Sequence, residues 1–199
     1  MSVADVVNPI PDLICITGGI GSGKSVVARL LRLENYPVFD CDWEATVLME
    51  TDPEVKREVE NLLGHDAYNA DGSRNRQYIS SRIFADEEMR KSLNAIVHAA
   101  VRKRMMEWRL SANRPAFVES AIPVVSGLAW LCEQVWIVDT PLDLRIARTI
   151  ARSNLTEKEV RRRIQSQACE WTELERHWRI ETIKNYRAFP APANRETTK

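Results

Sequence analysis

Short apolar runs and amphipathic stretches alternate at the start of this chain, a pattern that indicates strands and helices in turn. Leu13 to Thr17 is a short apolar run, typical of a buried parallel strand. Pro37-Val38-Phe39 predicts a second strand. Between them, a helix is predicted from Ser25 to Leu33, because apolar residues recur there at helical spacing: Val26, Val27, Leu30, Leu31 and Leu33. A strand, a turn, a helix and a second strand therefore open the fold.

The middle of the chain, from about residue 50 to 112, is predicted to be largely helical. Asp52 and Pro53 are residue types favoured at the N-cap and the first turn of a helix. Asp86 can cap a longer helix that runs to about Leu110, along which apolar residues recur at helical spacing. These helices form an insertion between strands.

Strand character returns after the insertion, around Phe117-Val118 and again from Val135 to Val138. Residues 142–153 have a helical pattern, and Thr156 with Glu159 forms a capping box for the next helix. Strands on both sides of a helical insertion indicate an α/β protein.

Composition and charge narrow the class of protein. The chain has 199 residues, of which 44% are hydrophobic, as in a globular protein. Basic and acidic residues both number 28, so charge gives no argument for binding nucleic acid or a membrane. The chain has neither an apolar run of roughly 18–20 residues nor a secretory signal pattern. Its four cysteines are widely spaced, which argues against a disulfide framework or a zinc site. We therefore expect a cytoplasmic protein with no nucleic-acid or membrane partner.

Residues 18–25 match the phosphate-binding loop G-x-x-x-x-G-K-[ST]. Glycines in this loop let main-chain N–H groups point at phosphate oxygens, and the helix N-terminus adds partial positive charge. Lys24 is expected to reach the β- and γ-phosphates, and the Ser25 hydroxyl to ligate Mg²⁺. A glycine-rich turn with a chance Lys-Ser is the alternative, but the flanking strand and helix argue against it. The predicted nucleotide-binding residues here are Gly18, Gly19, Gly21, Ser22, Gly23, Lys24, Ser25 and Val26.

Two carboxylates, Asp40 and Asp42, follow the second predicted strand. In an extended chain these positions share a face, and ligands of open α/β sheets bind at that edge. Both could then face the Mg²⁺ and the hydroxyl of a phosphoryl acceptor, and one could orient that hydroxyl and take its proton. The alternative is a helix cap or a solvated turn.

Three arginines, Arg145, Arg148 and Arg152, share one face of the helix predicted over 142–153. Arginines on a lid can clamp transferring phosphates and exclude water. The alternative is an exposed helix whose arginines pair with its own acidic residues. His98 and Arg102, four residues apart on the long helix, could bind phosphates of an acceptor, or could be surface groups.

Taken in order, these segments resemble the dephospho-CoA kinase family over residues 13 to about 185. The resemblance begins with Ile16 to Ser25 and continues with Asp40-x-Asp42 and Ala45. The further matching residues are Asp71-Gly72, Arg76, Ile83-Phe84, Ile96-x-His98, Arg102, Val138-Asp139, Pro141, Arg148, Arg152, Arg163-Ile164, Gln167 and Ile183-x-Asn185.

The resemblance implies that, with Mg²⁺, the γ-phosphoryl group of ATP is transferred to the ribose 3′-hydroxyl of dephospho-CoA. Asp42 would orient the acceptor and take its proton, and Asp40 would lie beside it on the metal side with Ser25. Lys24 and Arg148 would serve catalysis, and Arg148, Arg152 and Asn185 would bind ATP. The residues implied for the acceptor are Asp42, Arg76, Phe84, His98 and Arg102.

The implied fold is a three-layer α/β/α P-loop kinase with a five-stranded parallel sheet, a helical acceptor domain and a helical lid. The core would comprise residues 12–49 and 113–199, with the lid at about 142–167 and a loose tail at about 187–199; residues 50–112 would form the acceptor domain. A monomer or weak homo-oligomer is expected.

The chain departs from the family pattern at three places. Ala99 follows His98 where the family has proline, Val125 stands where a glutamate is usual, and Arg179-Ile180 replaces Ala-Asp. A P-loop kinase for another small acceptor, such as a nucleoside monophosphate or a sugar acid, would use the same nucleotide-binding parts.

Overall fold

The computed structural model describes residues 12–153, 155–166 and 168–185, and it gives no side-chain detail for 166–171. Gln167 and the tail at 187–199, named above, lie outside the described residues. The five strands are β1 (Leu13–Thr17), β2 (Val38–Asp40), β3 (Ala116–Glu119), β4 (Gln134–Asp139) and β5 (Ile180–Lys184). The helices are α1 (Lys24–Leu33), α2 (Cys41–Thr51), α3 (Pro53–Leu63), α4 (Arg76–Ala85), α5 (Glu87–Arg109), α6 (Leu142–Arg152), α7 (Glu157–Ser166) and α8 (Ala168–His177).

The strands form one sheet in the order β2-β3-β1-β4-β5, and every neighbouring pair is parallel. This confirms the predicted five-stranded parallel sheet. All five carboxyl ends therefore lie at one edge, where β1 leads into the phosphate-binding loop. The apolar runs that predicted β1, β3 and β4 are buried along much of their length, as parallel strands covered on both faces require.

Two hydrophobic clusters cover the two faces of the sheet. On one face, Ile14, Ile16 and Phe117 pack with Val27 and Leu31 of α1. The other face joins a larger core, which includes Leu13, Cys15 and Val118 of the sheet together with side chains of α2, α3, α5 and α8. Helices on both faces complete the predicted three layers.

The insertion is helical, as its pattern predicted. Asp52 caps α3 by accepting hydrogen bonds from the Glu54 and Val55 amides, and Asp86 caps α5 through the Met89 amide. Helices α2 and α4 and strand β5 were not predicted from hydrophobic pattern. The apolar residues of the two helices are distributed around the helix and give no periodic signal. Strand β5 is too exposed to give the apolar run of a buried strand. Among the described helices, none combines the length and apolar character needed to span a membrane.

Candidate active site

The loop between β1 and α1 has the shape that the motif predicts. Gly21 has φ 78° and Gly23 has φ 92°, a left-handed backbone region in which a side chain would be strained. Gly23 is the N-cap of α1, which begins at Lys24, so the first helical N–H groups open onto the loop. Ser25 and Val26 occupy the first turn of that helix. The motif thus places main-chain donors at the carboxyl edge of the sheet, which suits an anion.

Lys24 lies inside this cradle. Its ammonium nitrogen donates a hydrogen bond to the carbonyl of Gly18 at 2.7 Å. Burial lowers the pKa of Lys24, whereas the negative charges of Glu119 and Asp42 act to raise it. A partly dehydrated ammonium group with two carboxylates nearby is suited to exchange its internal contacts for phosphate oxygens.

A cleft of about 600 Å³ opens in front of the loop, and both acidic and basic side chains line it. Gly21, Gly23, Ser25 and Ile20 form its loop side. The remaining lining residues are Lys24, Asp40, Asp42, Trp43, Glu119, Ala121 and Arg152. Residues from β2, α2, β3 and α6 therefore meet around one volume, because parallel strands deliver their carboxyl ends to the same edge.

The expectation that Asp40 and Asp42 share one face of an extended chain is wrong. Asp40 is the last residue of β2, and helix α2 begins at Cys41, so Asp42 lies in the first helical turn. A carboxylate oxygen of Asp40 accepts a hydrogen bond from the Trp43 amide at 3.0 Å and caps the helix. Both acids nevertheless line the cleft, since the cap turns the chain sharply at the sheet edge.

Asp42 titrates differently from an ordinary aspartate. Burial raises its pKa, the like charge of Asp40 adds to that rise, and the positive charge of Lys24 opposes it. The N-cap of α2 is Asp40, whose side chain accepts a hydrogen bond from the helix backbone, and Asp42 does not have this capping role. Of the two aspartates, Asp42 is thus the better placed to exchange a proton.

Glu119 is a third carboxylate of the cleft, and it was missed in the sequence reasoning. It ends β3, in register with Asp40 on β2 and with Ile16 on β1. Burial raises the pKa of Glu119, the charge of Asp40 raises it further, and the charge of Lys24 lowers it. An acid at the end of a buried strand is the same signal that drew attention to Asp40, so Ala116-Phe117-Val118-Glu119 could have revealed it.

The three arginines of α6 have separate surroundings. Arg152 lines the 600 Å³ cleft. Arg148 lies beside Gly23, with one guanidinium nitrogen 4.0 Å from where a Cβ on that glycine would lie. Arg145 crosses the loop and donates a hydrogen bond from Nε to the Ile20 carbonyl at 3.0 Å. On α7, Arg161 pairs with Glu157 of its own helix at 2.7 Å.

Asn185, which follows β5, is attached to the loop. Its side-chain amide donates to the Ser22 carbonyl at 2.9 Å. The Thr140 hydroxyl is within hydrogen-bond distance of the same carbonyl, at 2.9 Å, and of the Asn185 carbonyl, at 3.1 Å. The loop is therefore held from the far side by the ends of β4 and β5, and Asn185 lies next to Gly23.

Of the predicted acceptor residues, Asp42 lines this cleft, whereas Arg76, Phe84, His98 and Arg102 are not among its lining residues. Arg102 donates to the Ser126 carbonyl at 2.6 Å and so joins α5 to the loop that leaves β3. Half-burial and the charge of Arg102 lower the pKa of His98. Arg76 is 3.8 Å from Glu50, and Phe84 is 94% exposed.

The chain is similar to known proteins over most of its length. The family model described as dephospho-CoA kinase matches residues 12–185. Dephospho-CoA kinase of Bacteroides fragilis is 34% identical over 167 residues, covering 82% of this chain and 80% of the relative. That of Porphyromonas gingivalis is 37% identical over 155 residues, covering 77% and 76%.

Two solved structures share the fold. A crystal structure of a Thermus thermophilus protein superposes with a TM-score of 0.72 at 34% identity, covering 88% of each chain. Dephospho-CoA kinase from Campylobacter jejuni gives a TM-score of 0.64 at 20% identity, covering 89% of each chain. The likeness extends over the sheet and the helical insertion alike, because both comparisons cover nearly the whole described chain.

Proposed function

The chain belongs to the dephospho-CoA kinase family, and from this premise we propose how its cleft transfers a phosphoryl group from ATP to dephospho-CoA, giving CoA and ADP. The observation that carries the proposal is the shared lining of one 600 Å³ cleft by Lys24, Ser25, Asp42 and Arg152. A phosphate-binding loop, a proton acceptor and a lid cation around one volume are the parts that phosphoryl transfer requires.

In this proposal, the loop amides and Lys24 hold the triphosphate of ATP. Lys24 exchanges its bond with the Gly18 carbonyl for oxygens of the β- and γ-phosphates. Arg152, which already lines the cleft, adds positive charge where charge develops on the transferring group. Arg148 and Asn185 flank Gly23, which supports a place for them beside the nucleotide.

Asp42 orients the ribose 3′-hydroxyl and accepts its proton. Burial and Asp40 raise its pKa, so its carboxylate is a stronger base than an ordinary aspartate. Because the transition state of phosphoryl transfer is loose, correct orientation and late proton transfer suffice. Asp40 is less suited to this role, since one of its oxygens caps α2.

Mg²⁺ fits the donors that the cleft presents. The Ser25 hydroxyl and the Asp40 carboxylate are hard oxygen ligands, and Glu119 lies in the same cleft. In the described part of the chain, no group of three or more His, Cys, Asp or Glu side chains is arranged to hold a metal ion. Such a site suits Mg²⁺, which is usually held by one or two carboxylates together with substrate phosphates. When bound, the ion would neutralise charge on the β- and γ-phosphates.

The acceptor is proposed to lie between the cleft and the helical insertion of residues 50–112. Arg102 supports this place, because its bond to the Ser126 carbonyl brings α5 against the loop that follows β3. His98 lies one helical turn away and is half-buried. Arg76 and Phe84, exposed on α4, would gain contacts only when dephospho-CoA is bound.

We further propose a cytoplasmic enzyme that acts as a monomer or a weak homo-oligomer. Cys41 and Cys132 are buried thiols outside any disulfide, which is typical of a reducing compartment.

A steady-state assay of ADP formation tests the function. Dephospho-CoA should stimulate ADP release from ATP, whereas AMP and gluconate at equal concentration should not. GTP should support the reaction less well than ATP. If AMP or gluconate stimulates while dephospho-CoA does not, the acceptor assignment is wrong and the rival kinase activity is correct.

A further inference from the structure

Arg145 makes contacts with the phosphate-binding loop that differ from those of its neighbours on α6. Its Nε donates to the Ile20 carbonyl at 3.0 Å, and its own carbonyl accepts a bond from Thr149 at 2.7 Å. Burial lowers the pKa of Arg145, and the negative charge of Asp139 at the end of β4 opposes that effect. The guanidinium is thus an anchored, partly buried cation that lies over the loop.

The Gly19 position is closed by this guanidinium. A Cβ on Gly19 would collide with the Nη2 and Cζ atoms of Arg145 and would lie 3.0 Å from Nε. Several glycines of the described chain have a positive φ, but Gly19 is not among them. Its backbone conformation can therefore accept alanine. The glycine at this position is therefore required by one neighbouring side chain, unlike Gly21, whose φ is 78°.

The Ile20 carbonyl bond fixes more than one group. In a trans peptide the C=O and the following N–H point in opposite directions. With the Ile20 carbonyl turned towards the Arg145 guanidinium, the Gly21 N–H points away from that guanidinium, and both Ile20 and Gly21 line the nucleotide cleft. Without the bond, that peptide plane could rotate and withdraw a donor from the phosphates.

We propose that Arg145 is a positioning residue that holds the loop open for phosphate through the Ile20 carbonyl, with Gly19 leaving room for its guanidinium. This inference rests on the nucleotide-binding part of the proposed function. It assigns Arg145 a role distinct from the phosphate contacts proposed for Arg148 and Arg152, although the three share one helix.

Equilibrium binding of ADP, measured by calorimetry on the full chain, tests the proposal without relying on the acceptor. Arg145→Gln should weaken ADP binding about tenfold, as expected for loss of a hydrogen bond with a charged donor. Arg145→Lys should recover part of the affinity, because an ammonium can donate one bond to the carbonyl. Arg161→Gln, on the exposed Arg161–Glu157 pair, is the matched control and should bind as the wild type does.

Gly19→Ala gives the decisive comparison. The clash is with the movable end of a side chain, so the variant should fold with an unchanged Tm and displace the guanidinium. Its ADP affinity should fall as far as that of Arg145→Gln. The double variant should lose no more than either single variant, since both changes break the same bond.

Several outcomes would overturn the proposal. If the losses of Gly19→Ala and Arg145→Gln add, the two residues act independently. If Arg145→Gln binds ADP as the wild type does while Gly19→Ala is impaired, the glycine serves the phosphates directly. Should Arg145→Gln not fold, wild-type ADP affinity of Gly19→Ala would overturn the proposal. Failure of the wild-type chain to bind ADP would instead reject the proposed function itself.

Discussion

The loop that would hold ATP and the helices that would hold the acceptor differ in how far their polar groups are already ordered. Around the loop, Thr140 and Asn185 hold the Ser22 carbonyl, and Arg145 holds the Ile20 carbonyl. In the insertion, the Arg76 side chain is 77% exposed and Phe84 is 94% exposed. Ordering exposed side chains costs conformational entropy on binding. Under the proposed function, the nucleotide half would be preorganised, and ligand binding would complete the acceptor half.

Removing the loop cation should have the largest effect. We expect Lys24→Ala to lower kcat by about 10³-fold, because a fixed positive charge at the transferring phosphate is lost. The measurement is steady-state ADP formation at saturating dephospho-CoA, with Tm as a check on folding. Lys103→Ala, an exposed lysine of α5 that lies 4.0 Å from Glu54, is the control. A variant of Lys24 that retains wild-type turnover would contradict the proposed role of the loop.

Replacing the proposed base, Asp42, should have the second largest effect on turnover. Asp42→Asn should lower kcat by about 10²-fold while ATP affinity changes little, because the amide cannot accept the proton. Asp40→Asn is the matched variant and should act more on the dependence of rate on Mg²⁺ concentration. A larger fall in kcat for Asp40→Asn than for Asp42→Asn would reverse the two assignments.

The acceptor half can be tested separately from the nucleotide half. Arg102→Ala should raise the KM for dephospho-CoA by about tenfold, the effect of losing one charge-assisted contact, and leave the KM for ATP unchanged. Arg90→Ala, an exposed residue near the start of the same helix, serves as its control. Equal effects on both KM values would show that Arg102 supports the cleft as a whole.

The smallest effect concerns stability and pH. Burial raises the pKa of Asp42 and of Glu119 above their ordinary values of 3.8 and 4.5, so the folded state binds protons more tightly there than the unfolded state does. Their contribution to stability is therefore greatest below those ordinary values and declines as the pH rises through the folded-state pKa.

Glu119→Gln should raise the Tm of the ligand-free protein at pH 7 by roughly 2 °C, since a neutral amide avoids the burial of charge. Asp42→Asn should raise it by less, because Asp42 is the more exposed of the two residues. The gain should disappear in scans at pH 4. Glu88→Gln, on an exposed glutamate of α5, should change neither value. A lower Tm for both cleft variants at pH 7 would show that these carboxylates stabilise the fold.

Much of the nucleotide half could be predicted because its signals are local. The loop motif lies in one continuous stretch between an apolar run and a periodic helix, so Lys24 and Ser25 could be placed by sequence. In the helical insertion, the starts of α3 and α5 could be predicted for the same reason, because Asp52 and Asp86 cap helices within a few residues of their own position. The direction of Asp42 could not be predicted, because it depends on the cap that starts α2 directly after β2.

The amino-acid sequence alone determined the α/β class, the phosphate-binding loop and the helical character of the insertion, since each follows from short-range pattern. Only the tertiary structure decided which distant residues join the loop. Glu119 reaches the cleft because β3 lies between β2 and β1, and Arg145 reaches the Ile20 carbonyl because α6 follows β4 on the other side of β1. Strand order is set by packing across the whole sheet, and no single segment carries that information.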